Sequence, residues 1–371
     1  MSDAATAGAI LTIDLQALAS NYGLIRSTAR DAECGASIKA DAYGLGVGRV
    51  AETLAEAGCR IFFVAHLDEG TALRRQLPAA EIHVLNGIPS GTERLFAEHR
   101  LIPVLNSLGD IAVWAEFGRA NGARFAADVH VDTGMSRLGL PPDEVAAIAG
   151  DPGRLADIEV VLVMSHLACA DEPEHALNRR QLEAFRAARA ALPMGRASLA
   201  NSSGVFLGPD YHFDLVRAGA ALYGIAPAPD QPNPMAQVVR LQGKILQVRL
   251  VDSPQTVGYG ASHRVTRRAR IATVAVGYGD GFLRSTGNSA VAVLGDVRVP
   301  IVGRVSMDLL TIDVSDAPDA MARVGALVDL IGPHNPLNDV ARDAGTIGYE
   351  VLTRLGPRYH RRYLGGGRNN A

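Results

Sequence analysis

Lys39 stands at the end of a short apolar run, in Ser37-Ile-Lys-Ala-Asp-Ala-Tyr-Gly-Leu-Gly46. Ala36 to Ile38 reads as strand, Gly44 and Gly46 mark a loop, and Val47 to Ala57 carries the apolar spacing of a helix. The amine therefore sits where a strand stops and a loop opens toward a helix, the place where α/β folds keep their chemistry. An amine in a dry site of this kind loses affinity for its proton and can form a Schiff base with an aldehyde. The bland reading is a solvated lysine at a strand end.

The elements that must position it recur with a rhythm. Ile10 to Leu15 reads as a strand, and Asp14 caps a helix from Leu15 to Ala29. Short apolar runs follow at Ala36–Ala40, Arg60–Ala65, Glu81–Leu85, Leu101–Leu105, Arg124–Asp132, Glu159–His166, Ala197–Asn201 and Phe213–Gly219. Most gaps hold an amphipathic stretch of helix length, such as Leu67–Gln76, Gly109–Asn121, Pro142–Gly150 and Ala176–Leu192. About eight strand–helix units are enough to close a (β/α)₈ barrel, with a doubly wound open sheet as the alternative. Near Ala226 the character changes: Pro227, Pro229, Pro232 and Pro234 mark an ordered linker. Beyond it the runs Lys244–Val251, Arg270–Val276, Ala290–Leu294, Val297–Val302, Leu309–Val314 and Leu327–Ile331 read as a small all-β domain. The expected division is a barrel over 11–230 and a β domain over 231–371, with the strand in 1–14 packing on the latter. The tail from Gly365 to Ala371 is expected to be disordered.

Several strands end in polar residues, as a barrel's catalytic rim requires. The fifth ends in His130-Val-Asp-Thr-Gly-Met-Ser-Arg137, the sixth in Ser165-His166, the seventh in Asn201-Ser-Ser-Gly204 and the eighth in Val216-Arg-Ala-Gly-Ala220. A phosphate needs backbone N–H donors and hydroxyls, which Ser202, the Gly219-Ala220 amides and the Tyr43 phenol offer. Taken singly, Arg137 also reads as a surface cation, His166 reads better as a satisfied core histidine, and Asn201-Ser-Ser-Gly204 reads equally as a helix N-cap.

Composition sets outer bounds. The 371 residues are 48% hydrophobic and 20% charged, which fits a globular protein with a substantial core. The 36 basic and 39 acidic residues nearly cancel, so a nucleic-acid partner bound through a strongly basic surface is not expected. Cys34, Cys59 and Cys169 form no Cys-x-x-Cys pair, no metal motif is present, and reduced cytosolic thiols are the default. No signal peptide and no membrane-spanning run is read, so cytoplasmic residence is expected.

These motifs, in this order from about Lys39 to about Glu350, resemble those of the alanine racemases, enzymes that use pyridoxal 5′-phosphate. The resemblance implies that Lys39 holds the cofactor and that Tyr43 and Tyr349, the latter in Thr346-Ile-Gly-Tyr-Glu350, touch its phosphate. Val131-Asp-Thr-Gly-Met-Ser-Arg-Leu-Gly139 is close to a family signature whose arginine contacts the substrate carboxylate, a role that passes to Arg137. Asn201, Ser202, Arg217, Gly219 and Ala220 match cofactor-binding segments, with Arg217 facing the ring nitrogen and His166 in the same network. Val257-Gly-Tyr-Gly260 makes Tyr259 the second catalytic base. Gly277-Tyr-Gly-Asp-Gly281 and Gly303-Arg-Val-Ser-Met-Asp308 match segments that enter the partner's site, so a homodimer with shared sites is implied, with Met307 at the substrate and Tyr278 and Asp308 in support. Three positions depart from the pattern: Asp41 where the family usually has Asn, Leu45 where it often has His, and His130. Many members have at this last position a lysine, often carbamylated, whose new carboxylate orients the arginine; imidazole forms no such stable anion.

The implied activity is interconversion of L- and D-alanine by two bases, Lys39 and Tyr259, supplying or consuming D-alanine. A phenol titrates near about 10, so Tyr259 needs a nearby cation, Arg217 or His166, to act near neutral pH. Competing readings are a racemase acting on serine, since pockets discriminate weakly against one added hydroxyl, a decarboxylase on a related barrel, and a non-enzymatic cofactor carrier.

Overall fold

The computed structural model describes residues 4–366. The described part of the tail is Gly365 and Gly366; residues 367–371 lie outside it. After strand β1 (Ala9–Asp14) comes helix α1 (Leu15–Ala29), which starts where the Asp14 carboxylate accepts the Ala17 N–H at 2.9 Å. Then follow β2 (Glu33–Ser37), β3 (Ile61–Val64), β4 (Glu81–Val84), β5 (Ile102–Leu105), β6 (Phe125–His130), β7 (Ile158–Met164), β8 (Arg196–Ser198) and β9 (Leu215–Ala218). These eight form one sheet in the order β8-β7-β6-β5-β4-β3-β2-β9, with every ladder parallel. Ile-Phe-Phe-Val in β3 is wholly buried, as expected of a strand covered on both faces. Single bonds close the barrel between β8 and β9: Asp214 N–H to Ala197 O at 3.0 Å, Arg217 N–H to Ala200 O at 2.9 Å, and Ser198 Oγ–H to Leu215 O at 2.5 Å.

The second sheet contains β10 (Val239–Val251), β13 (Ala269–Val274), β14 (Val291–Leu294), β15 (Val297–Pro300), β16 (Leu310–Asp313), β17 (Leu327–Ile331) and β18 (His360–Leu364), together with β1; β11 (Thr256–Val257) and β12 (His263–Arg264) pair with each other. The long β10 is its spine and pairs antiparallel with β1, β13 and β17. β1 also pairs parallel with β18, so the chain's first strand lies in the second sheet between β10 and β18. The C-terminal part is mostly strand, as the sequence pattern implies, and among the described residues it also carries two short α-helices, Leu337–Asp343 and Gly348–Arg354. The second of these reaches the barrel's catalytic rim.

Candidate active site

Strand β2 delivers Lys39, but the strand stops at Ser37, earlier than its apolar run. Ala40, Asp41, Ala42 and Tyr43 follow in a left-handed turn with φ of 54°, 53°, 54° and 56°. Each such L-residue costs roughly 1–2 kcal/mol, so the turn exists only because its surroundings hold it. The Ala42 N–H donates to Ile38 O at 2.9 Å, and the Ala40 N–H donates to a carboxylate oxygen of Glu69 at 2.6 Å. Asp41 accepts from the Val47 N–H at 2.7 Å, at the start of the next helix, Val47–Glu56. From the β domain, Arg361 donates to Gly44 O at 2.7 Å and the Tyr363 hydroxyl to Leu45 O at 2.8 Å.

The turn opens on a cavity of about 490 Å³ at the C-terminal ends of the barrel strands. Lys39, Tyr43, Arg137, His166, Asn201, Ser202, Arg217, Gly219, Ala220 and Tyr349 all line it, and Ser37, Ala40, Phe63, Leu85, Ile347, Glu350 and Thr353 complete the wall. Burial pushes the Lys39 amine below the ordinary lysine range; the Arg137 guanidinium adds to this and Glu69 opposes it. Arg217, buried on β9, donates to Ser198 Oγ and to Ser165 O, each at 2.5 Å. Burial brings its pKa down to about 10 against the pull of Asp128, so it remains a cation at neutral pH. Its Nη2 lies 3.3 Å from His166 Nδ1. Burial pushes His166 well below the usual imidazole range, and Arg217, Arg137, His130 and Lys39 all add to this, so the imidazole is neutral and its Nδ1 accepts from the guanidinium.

One corner of the cavity is built for an anion. The Ser202 Oγ accepts from the Gly219 and Ala221 N–H groups at 2.8 and 3.2 Å, so its own hydroxyl proton remains to be given. The Ala220 N–H between them has no protein acceptor among the described residues. A Cβ at position 219 would lie 2.7 Å from the Tyr43 hydroxyl, so only glycine leaves room between phenol and backbone. The Tyr43 ring lies between Tyr223 and Tyr349, with centroids 4.6 and 6.2 Å away, and burial raises its phenol's pKa, so it is a hydrogen-bond donor at neutral pH.

Arg137 is carried on an exposed loop after β6, organised by Asp132, whose carboxylate accepts from the Gly134, Met135 and Ser136 N–H groups at 2.9, 3.0 and 3.1 Å. Among the described residues its guanidinium makes no hydrogen bond or ion pair. His130 does not hold it. The His130 Nδ1 bonds Asn106 Oδ1 at 2.7 Å. Asn106 Nδ2 already donates to Leu85 O and Val104 O, so Nδ1 is the protonated nitrogen of His130 and Nε2 the acceptor. Burial and then Arg217 bring His130 down to about 4, with Asp132 opposing and Arg137 reinforcing.

Four sequence-predicted residues lie elsewhere. Tyr259 is 72% exposed in a one-turn helix, Tyr259–Ala261, and shares a separate cavity of about 420 Å³ with Arg304, Ser306 and Leu309. Tyr278 and Met307 lie on adjoining backbone, since the Tyr278 N–H donates to Ser306 O at 3.0 Å and Gly279 N–H to Met307 O at 2.8 Å; both side chains are exposed. Asp308 pairs with Arg358 at 2.8 Å. Sequence reasoning missed Glu69, Ser198 and Asn106. Glu69 carried one usable signal, its place three residues after His66 at a helix start, where a glutamate caps free amides.

Comparison with known proteins agrees with this architecture. Residues 13–227 match the model of the alanine racemase N-terminal domain, and residues 238–363 that of the C-terminal domain. The chain is 54% identical over 361 residues to the alanine racemase of Rhodospirillum rubrum, covering 97% of this chain and 96% of the relative. It is 50% identical over 355 residues to the catabolic alanine racemase of Agrobacterium fabrum, covering 95% and 92%. The crystal structure of the Bartonella henselae alanine racemase with covalently bound pyridoxal phosphate superposes with a TM-score of 0.93 at 41% identity, covering 96% of this chain and 100% of that one. The chain belongs to the alanine racemase family.

Proposed function

We infer that the chain interconverts L- and D-alanine with pyridoxal 5′-phosphate as its cofactor. The observation that carries this is one cavity that a half-buried lysine shares with an Arg217–His166 pair and a glycine-lined anion corner, in a chain of this family. The donor set fits that cofactor. Lys39 would hold it covalently; Tyr43, Ser202, Ala220 and Tyr349 would take its phosphate; Arg217, His166 and Asn201 would face its ring. When bound, the cofactor supplies an aldehyde that joins the amino acid and a ring that spreads the charge left by the departing α-proton.

The chain's own residues do the rest. Arg137, unpaired in its loop, is free to take the substrate carboxylate. Lys39, with its amine already shifted toward neutrality, takes or returns a proton at Nζ on one face of the substrate. Arg217 cannot act as a base at working pH; it supplies a fixed cation on the inner wall. Tyr259 is the base for the other face. It does not line its own chain's cavity, so a second copy must bring it, and Tyr278, Met307 and Asp308 travel on the same exposed surface. The proposed assembly is therefore a head-to-tail homodimer with composite sites. Its two folding units are residues 11–230 and 231–371, with β1 assigned by its pairing to the second. No helix among the described residues is long and apolar enough to cross a membrane, and cytoplasmic residence is proposed.

The purified protein incubated with L-alanine should produce D-alanine without releasing carbon dioxide. Borohydride treatment followed by peptide mapping should find the cofactor's mass on Lys39. Carbon dioxide release would mean a decarboxylase, absence of both reactions a carrier, and an adduct on another residue would overturn the assignment of Lys39.

A further inference from the structure

Glu69 lies outside the cavity's lining but touches the one backbone feature that aims the lysine. One carboxylate oxygen accepts from the Ala40 N–H at 2.6 Å. The other accepts from the Ala65 and His66 N–H groups at 2.7 and 3.1 Å. Ala40 is the residue directly after Lys39 and the first of the left-handed turn. Ala65 and His66 directly follow β3, the neighbour of β2 in the sheet. The carboxylate therefore ties the strained turn to the end of the adjacent strand from the first turn of the helix Leu67–Gln76, whose axis fixes its position. Three charge-assisted bonds to backbone amides form a clamp of the kind that over-determines a strained conformation. A backbone in four successive left-handed residues has no reason to stay there without such partners.

The geometry points to Glu69 as a positioning residue for Lys39, one that fixes the left-handed turn on which the lysine stands. The inference rests on reading Lys39 as the cofactor lysine and a catalytic base. Arg137, Arg217, His166, Tyr43, Tyr349 and Glu350 share the cavity with that amine, and Glu69 lies behind the turn; of the carboxylates, Glu69 is the one whose charge raises the amine's pKa. Burial and Arg137 favour the neutral amine and Glu69 favours the ammonium, so the Glu69 charge limits how far the lysine drifts toward neutrality.

The test compares Glu69→Gln, Glu69→Asp and Glu69→Ala holoenzymes with wild type, each first mapped by borohydride to establish that the cofactor is on Lys39. Loss of the clamp should lower kcat by about tenfold or more in Glu69→Ala, since small misplacement of a reacting group is costly. KM for alanine should change much less, because Glu69 does not line the cavity. Loss of the charge in Glu69→Gln should move the pH limb set by Lys39 to lower pH. Glu69→Asp keeps the charge, so its limb should stay near that of wild type while its kcat falls. Glu69→Gln retains volume and an acceptor oxygen, so it decides the question even where Glu69→Ala does not fold. With the cofactor found on Lys39, an unchanged kcat in Glu69→Ala, or a limb in Glu69→Gln that does not move, would overturn the inference. A cofactor found on a different residue in wild type would instead overturn the reading of Lys39 itself.

Discussion

A racemase must take a proton from one face of a carbon and return one to the other, and two side chains on opposite sides do this more readily than one. That makes the role of Tyr259 separable from that of Lys39. Tyr259→Phe keeps the ring and removes only the hydroxyl. Racemisation should fall by at least about a hundredfold, the lower end for a lost general base. The fall must be equal in both directions, because the equilibrium constant is a property of the two alanines. The family resemblance implies that Lys39 faces the α-proton of D-alanine and Tyr259 that of L-alanine, so in deuterium oxide the variant should still exchange D-alanine through Lys39, while L-alanine keeps its proton. NMR of each enantiomer measured separately decides it: exchange of L-alanine at the wild-type rate would remove Tyr259 from that face. In the sequence Lys39 stood out because a polar residue ending an apolar strand contradicts its surroundings, whereas Arg137, His166, Asn201, Ser202 and Arg217 drew their roles from motifs that resemble the family's. Glu69, Asn106 and Ser198 gave no such contrast. They act through backbone amides or through another side chain, and those partners are neighbours only in the folded chain.

Strands were the most legible elements, since barrel strands such as β3 and β5 are short apolar runs buried along nearly their whole length. The turn at Ala40 to Tyr43 was not legible at all. None of its four left-handed residues is glycine, and its partners, Glu69 and Arg361, lie far along the chain. Gly44 shows the same tight fit, since a Cβ there would lie 2.6 Å from Leu352 O. The barrel interior holds a second element that strand patterning concealed. On β4, His83 is fully buried with Nδ1 2.6 Å from Asp128 on β6 and Nε2 2.7 Å from Glu81, and its ring stacks on Phe63 of β3 at 4.6 Å. Burial alone would lower its pKa, but the two carboxylates raise it to about 9, so it is an imidazolium at neutral pH. A raised folded pKa gives stability that is complete below the ordinary value of 6.5 and is lost as pH rises through about 9. The melting temperature should therefore fall by a few degrees between those limits from this group. His83→Leu should flatten that slope while lowering stability throughout by about 3–5 kcal/mol, because it leaves Asp128 buried without its partner. Thermal melts of both proteins across this pH range check the claim; a variant with the wild-type slope would assign the loss to other groups.

At the scale of the molecule, a single chain separates the two proposed bases. Lys39 lines the large cavity at the barrel rim, whereas Tyr259 stands exposed beside Arg304 on the β domain. A chain of this size gains nothing from a solvated phenol flanked by glycines, and Met307, Tyr278 and Leu309 extend the same uncovered apolar surface. Closed two-fold pairing gives both copies the same contact, so if one chain's Tyr259 meets the other's Lys39, the reverse also holds. Complementation follows from that symmetry. Lys39→Ala and Tyr259→Phe homodimers each carry one lesion in every site and should be nearly inactive. In a heterodimer, one site combines the mutant lysine position with the mutant tyrosine position and collects both lesions, while the other receives an intact Lys39 and an intact Tyr259. Random exchange of equal amounts makes half the dimers mixed, each with one working site, so activity should recover to about a quarter of wild type. Subunit exchange is followed separately by mass tags on the two variants. Exchange without recovery would place both bases of each site on one chain and remove the composite site from the proposal.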